Sequence, residues 1–137
     1  MSRGLDNRNP GNIRRSGVRY KGEVESRDPE FRAFAAVEWG YRAMFVLLHT
    51  YARRYGCRTL RQMIARYAPP SENPTEGYLR FVAERSGIGA DEAVETLDGT
   101  AMRAVVAAIS RFENGTEADM AAVLAGWRLF TADFGGR

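Results

Sequence analysis

The spacing of apolar residues changes once along this chain, at Val37, and that change limits the fold to two unequal parts. Before it, residues 3 to 34 hold Gly4, Gly11, Gly17 and Gly22 with Pro10 and Pro29, residue types that mark turns and interrupt helices. Within that stretch Val18-Arg19-Tyr20 and Phe31-Arg32-Ala33-Phe34 alternate apolar with polar or small side chains, which predicts two short paired strands. From Val37 onward the period becomes helical: Val37, Tyr41, Met44, Phe45, Leu48, Tyr51 and Ala52 fall on one face, and Gly56 ends the run. A second helix is expected from Thr59 to about Tyr67, stopped by Pro69 and Pro70. A third is expected to restart at Asn73-Pro74, with Asn73 as cap and Pro74 at the first helical position, and to run to about Ser86. Residues 87 to 97 carry no clear period. Thr100 opens a fourth helix, and Thr116-Glu117 a last one with the stripe Met120, Val123, Leu124, Trp127 and Phe130. The expected fold is mainly α (α+β), one domain over residues 1–137, with a small N-terminal loop/β lobe.

Composition narrows the chemistry. Apolar residues make up 45% and charged residues 27% of 137 residues, values of a folded globular chain with one core. No apolar run is long enough to span a bilayer, and Met1 to Pro10 has no hydrophobic signal core. Cys57 is the only cysteine, so no internal disulfide forms, and it reads as a small buried side chain. His49 is the only histidine, which leaves little material for a metal centre or for a Ser-His or Cys-His pair. The net charge of +3 is supplied almost entirely by arginine and suits an anionic polymer without naming one. No nucleic-acid-binding motif is present.

Carboxylate chemistry remains, and Glu113 is the carboxylate placed most pointedly. Met102, Val105, Val106, Ile109 and Phe112 form the apolar stripe of the fourth helix, and Glu113 projects from its margin just before the Asn114-Gly115 stop. Partial burial and the negative end of the helix macrodipole both favour its protonated form, the state a general acid needs.

The stretch Val106 to Glu113 resembles the catalytic helix of goose-type lysozymes and lytic transglycosylases, with Phe112 as a one-residue offset before the acid. Asn9-Pro10-Gly11-Asn12-Ile13-Arg14 is similar to the Asn-Leu-Phe-Gly-Ile-Lys segment of bacterial glucosaminidases related to those transglycosylases. Tyr20-Lys21-Gly22, Phe31-Arg32-Ala33-Phe34, and Tyr67-Ala68-Pro69-Pro70 with Tyr78 follow in that family's order. The family places its Glu helix before the Asn-Leu-Phe-Gly segment, whereas here Glu113 comes after it, as in a circularly permuted chain. Residues 3 to 115 also look like small phage and prophage virion-associated proteins with a lysozyme-like fold.

The resemblance implies a lysozyme-like enzyme that degrades peptidoglycan by cutting its β-1,4 glycan strand, as a lytic transglycosylase or a muramidase or glucosaminidase, with Glu113 as general acid and base. Glu25 or Glu23, near the place where related glucosaminidases carry another Glu, would be a second carboxylate if one is used. Tyr67, Asn73, Tyr78 and Asn12 would contact sugar, and Gly11 would permit a backbone conformation that other residues resist. No metal or organic cofactor is expected. The implied partner is bacterial peptidoglycan, with neither nucleic acid nor membrane insertion, the chain acting as a monomer or beside other virion or secretion components. Synthesis in the bacterial cytoplasm without a signal peptide, then delivery to the periplasm or cell wall by a virion, a holin or another non-classical route, completes the expectation. The alternatives are a peptidoglycan endopeptidase on the same fold and a non-catalytic virion structural or wall-binding protein.

Overall fold

Helix α2 (Val37–Tyr55) is the longest element of the fold. In the computed structural model, which describes residues 1–137, it is preceded by α1 (Arg3–Asp6), β1 (Glu23–Val24) and β2 (Ala33–Phe34). It is followed by α3 (Leu60–Tyr67), α4 (Thr75–Ser86), α5 (Gly99–Asn114) and α6 (Met120–Phe134). The protein is mainly helical with one small antiparallel sheet. Met44, Phe45 and Leu48 of α2 are fully buried, and they meet Met102, Val105, Val106 and Ile109 of α5 and Val123 and Phe130 of α6 in one core. Each such side chain contributes about 1.5–3 kcal/mol relative to exposure. Phe45 meets Trp127 edge-on with ring centroids 5.0 Å apart, the arrangement aromatic quadrupoles favour.

Helix boundaries follow local chemistry. Tyr55 hands over to Gly56 at φ 66°, the left-handed turn that closes α2. Thr59 and Gln62 form a reciprocal capping box at the start of α3. Asp98 caps α5 through the amides of Thr100 and Ala101, and Gly115 at φ 71° ends it immediately after Glu113-Asn114. The carboxylate therefore lies in the last turn, as the stop signal requires.

Three boundaries differ from the sequence expectation. The last helix starts at Met120 rather than at Thr116-Glu117, because the Asp119 side chain accepts from the amides of Ala121 and Ala122. Asn73 does not cap α4: Pro74 occupies the cap position without a side-chain bond, and Thr75 Oγ1 turns back to the Ala68 carbonyl at 2.6 Å. Val18-Arg19-Tyr20 forms no strand. The guanidinium of buried Arg32 takes the Val18 carbonyl at 2.6 Å, and the strand that pairs with Ala33–Phe34 is Glu23–Val24 instead.

Within the N-terminal lobe Arg3 grips Asp28 through two bonds of 2.6 Å. The lobe is tied to the helical body where Lys21 joins Arg42 of α2 on Asp133 of α6, at 2.8 Å each. Gly40 lets α2 lie directly against the Arg8 carbonyl and the Pro10 ring, where a Cβ would have no room. That contact sets the 9–14 segment beside the helices. His49 is taken up by packing: its Nδ1 lies 2.7 Å from Thr96 Oγ1 and its ring meets Phe130 and Phe134 edge-on. Cys57 is half-buried rather than buried. No helix is long and apolar enough to cross a membrane.

Candidate functional site

The segment Asn9 to Arg14 crosses the C-terminal end of α5, and polar contacts between residues about a hundred positions apart gather there. Asn9 is fully buried and spends its whole amide on backbone: Nδ2 donates to the carbonyls of Ile13 and Arg32, and Oδ1 accepts from the Ile13 amide, all at 3.0 Å. This closes a tight loop over residues 9–13. Asn114 ties that loop to α5 by donating to the Pro10 carbonyl at 2.8 Å, and accepts from Ser2 Oγ at 2.6 Å.

The loop sets Asn12 beside Glu113. Asn12 stands at φ 49°, a left-handed conformation that asparagine tolerates better than most residues. Its Nδ2 donates to Glu113 Oε1 at 2.7 Å, while its own Oδ1 is buried without a partner. The second oxygen, Oε2, accepts from the Tyr78 hydroxyl at 2.7 Å. Glu113 is half-buried, so α5, the 9–13 loop and α4 all bear on one carboxylate.

Gly11 serves by size rather than by conformation. It does not occupy the left-handed region, which Asn12 does instead. A Cβ at Gly11 would overlap the Tyr67 hydroxyl and the Met44 side chain. That hydroxyl donates to the Gly11 carbonyl at 2.5 Å, fixing α3 against the loop.

A cleft of about 350 Å³ opens at this junction, within the range of small-ligand sites. Glu113, Asn12, Tyr67 and Asn73 line it, so four of the expected site residues are brought together. Tyr78 is not among them. Its ring is fully buried and packs on Phe112 with centroids 4.0 Å apart, so its part is to hold Glu113 rather than to stack on a sugar. Burial above all, with the neighbouring Glu113 carboxylate adding to it, pushes the Tyr78 phenol well above its usual range, and burial does the same to Tyr67. Both phenols therefore stay protonated donors.

Neither Glu23 nor Glu25 lines the cleft. Glu23 accepts from Arg32 at 2.6 Å and from the Tyr20 amide at 3.1 Å, a structural ion pair inside the lobe. Glu25 is exposed on the surface. The carboxylate that does share the cleft with Glu113 is Glu72, on the Pro69–Asn73 turn and 3.5 Å from Arg14 Nε. Sequence reasoning missed it because a Glu in a polar turn has no distinguishing pattern.

It also missed the arginines. Arg14, Arg15, Arg32 and Arg66 all contribute to the walls. Arg32 builds the lobe's inner wall, bonding the Arg14 and Val18 carbonyls, Glu23 and Ser16, with its guanidinium 4.8 Å from the Tyr20 ring centroid. A charged residue inside the alternation Phe31-Arg32-Ala33-Phe34 is the signal that could have found it. No group of three or more His, Cys, Asp or Glu side chains converges to hold a metal ion. The polar machinery present is one bracketed carboxylate, amide and phenol donors, and guanidinium groups.

No family model matches the chain. Protein P5 of Pseudoalteromonas phage PM2 is 40% identical over 119 residues, covering 84% of this chain and 72% of that protein. Identity at that level across most of both sequences means common descent and a common core, and so the chain belongs to the family of phage PM2 protein P5.

Proposed function

We propose that the protein cleaves the β-1,4 glycan strand of bacterial peptidoglycan, with Glu113 as the acid that protonates the departing glycosidic oxygen. The observation that carries this reading is the double hold on Glu113 inside the cleft, by Asn12 on Oε1 and Tyr78 on Oε2. An asparagine NH2 can only donate, so Oε1 remains an acceptor and the transferable proton belongs on Oε2. The Tyr78 hydroxyl beside Oε2 can donate or accept, and so serves Glu113 in either protonation state. Asn12 and Tyr78 act as positioning residues.

With Glu23 and Glu25 outside the cleft, the intramolecular route fits best. Glu113 gives its proton to the leaving oxygen and the glycosidic bond breaks. The sugar's own C6 hydroxyl then closes onto the anomeric carbon and returns its proton to Glu113, leaving a 1,6-anhydro end. Glu72 is the group that would take a proton from water if the bond is hydrolysed instead. The reading includes a lysozyme-like fold with the acid helix permuted toward the C-terminus, and it takes support from the order of the motifs and from Asn12 meeting Glu113. The phage relative supports a virion-associated protein delivered to the wall from outside or released at lysis.

A second reading is a wall-binding virion protein without activity. What favours it is that both Glu113 oxygens are already engaged by the protein's own donors. Mass spectrometry of digested peptidoglycan separates these readings. Anhydro-ended fragments fit the intramolecular route and reducing ends a hydrolase, free amino groups indicate an endopeptidase, and intact wall in the pellet with bound protein indicates a binding module.

A further inference from the structure

The cleft carries more positive charge than its own carboxylates match. Arg14 is shared between Glu30 at 3.0 Å and Glu72 at 3.5 Å, and Arg32 is matched by Glu23. Arg15 and Arg66 line the same cleft, and neither pairs with a carboxylate. Both are exposed. Arg15 uses one Nη2 bond on the Ser26 carbonyl at 2.5 Å. Arg66 makes no side-chain hydrogen bond and is held by aromatic faces, its guanidinium carbon 3.6 Å from the Tyr55 ring centroid and 5.3 Å from that of Tyr51. A guanidinium seated on an aromatic ring keeps its edge donors free, and their fork matches a carboxylate.

We infer that this cleft takes a saccharide bearing carboxylate groups, which Arg15 and Arg66 bind, rather than a neutral polysaccharide. The inference rests on the glycan-cleaving reading and names the substrate class for that site. On a muramic-acid strand the carboxylate has two possible sources: the lactyl ether itself, or the peptide attached to it. A neutral β-1,4-linked N-acetylglucosamine oligomer has the same backbone and offers neither. Arg15 and Arg66, which no carboxylate of the protein neutralises, therefore confer discrimination that the paired Arg14 and Arg32 do not.

The test is binding by titration calorimetry with the Glu113→Gln protein, which keeps the cleft intact while preventing turnover. Three strands of equal length are compared: peptide-bearing peptidoglycan strands, the same strands after amidase treatment that frees the lactyl carboxylate, and neutral chitin oligomers. At least one anionic strand should bind tenfold or more tightly than chitin, equivalent to about 1.4 kcal/mol. The tighter of the two anionic strands identifies which carboxylate is held. The preference should shrink toward unity in an Arg15→Gln/Arg66→Gln variant, and should weaken as salt is raised. Equal affinity for chitin, or a preference that survives loss of both arginines, overturns the inference. Digestion of the same strands by the wild-type protein is scored separately: if none is cut, the enzymatic reading fails, whereas the affinity ratio still decides whether the cleft selects carboxylates.

Discussion

Asn12 and Glu113 are 101 residues apart in the chain, and the side-chain amide of one donates to the carboxylate of the other at 2.7 Å. With the bonds of Asn114 to Ser2 and to the Pro10 carbonyl, this bond joins the N-terminal segment to the end of α5, and it does so within the cleft. Replacing Asn12 with Gly should lower lytic activity about 10- to 100-fold, the equivalent of a hydrogen bond to a charged group of roughly 1.5–3 kcal/mol. Glycine also accepts the φ of 49° without strain. The melting temperature should therefore move by only a few degrees, and an unchanged rate would show that Glu113 does not depend on this amide.

Tyr78→Phe removes the donor to Glu113 Oε2 and leaves the ring that packs on Phe112. Activity should fall about tenfold or more, by the same hydrogen-bond magnitude, with folding retained. Tyr67→Phe should cost less activity, because its hydroxyl bonds the Gly11 carbonyl and not the carboxylate. Parallel rate measurements on the two variants check the order, and a larger loss for Tyr67→Phe would reverse the roles assigned to the two phenols.

Gly11→Ala forces a methyl group into the Tyr67 hydroxyl and Met44, and overpacking of this kind costs about 1–3 kcal/mol. Tyr67→Phe removes one of the clashing atoms. The double variant should thus be less destabilised than the sum of the singles, a positive coupling readable from denaturant melts. Strict additivity would place the strain elsewhere.

Tyrosines that are buried or half-buried set an alkaline limit on stability. Burial raises the phenols of Tyr41, Tyr51, Tyr67 and Tyr78 above the ordinary value of 10.0, with Tyr51 pushed up to about 12. These groups ionise first in the unfolded chain, so their contribution is fully present below about pH 10 and is lost as pH rises through their folded values. Absorbance of tyrosinate and far-ultraviolet circular dichroism should change together above that pH. Ionisation of all four near pH 10 with the helices intact would contradict the burial argument.

Much of the fold is legible in the sequence because it is carried by period and punctuation. The stripe from Val37 to Ala52 and the stripe ending at Phe112 each specify a buried face, and Gly56 and Gly115 end their helices in left-handed turns. What escapes is whatever depends on partners distant in the chain. Val18 to Tyr20 looks like a strand until Arg32 takes the Val18 carbonyl, and Asn73 looks like a cap until Thr75 bonds back to Ala68. At the site, Glu113, Asn12, Tyr67 and Asn73 all line one cleft. Tyr78 does not, since alternation and spacing cannot tell a buried tyrosine serving a carboxylate from one facing a ligand. Glu72 and Arg66 have the local look of solvated surface, and only the closing of the turn at Pro69 and the ring of Tyr55 give them a place.

Glu113→Gln is the decisive variant, read by loss of turbidity of purified peptidoglycan together with mass spectrometry of the soluble fragments. The amide keeps the shape of the side chain but cannot deliver a proton, so lysis should fall by about two to four orders of magnitude. Thermal melting and sedimentation with insoluble wall should be nearly unchanged, and the wild-type products should carry new anhydro or reducing sugar ends. A correctly folded Glu113→Gln protein that lyses wall as fast as the wild type, or wild-type protein that releases no new sugar ends, would contradict the assignment of Glu113 as the acid.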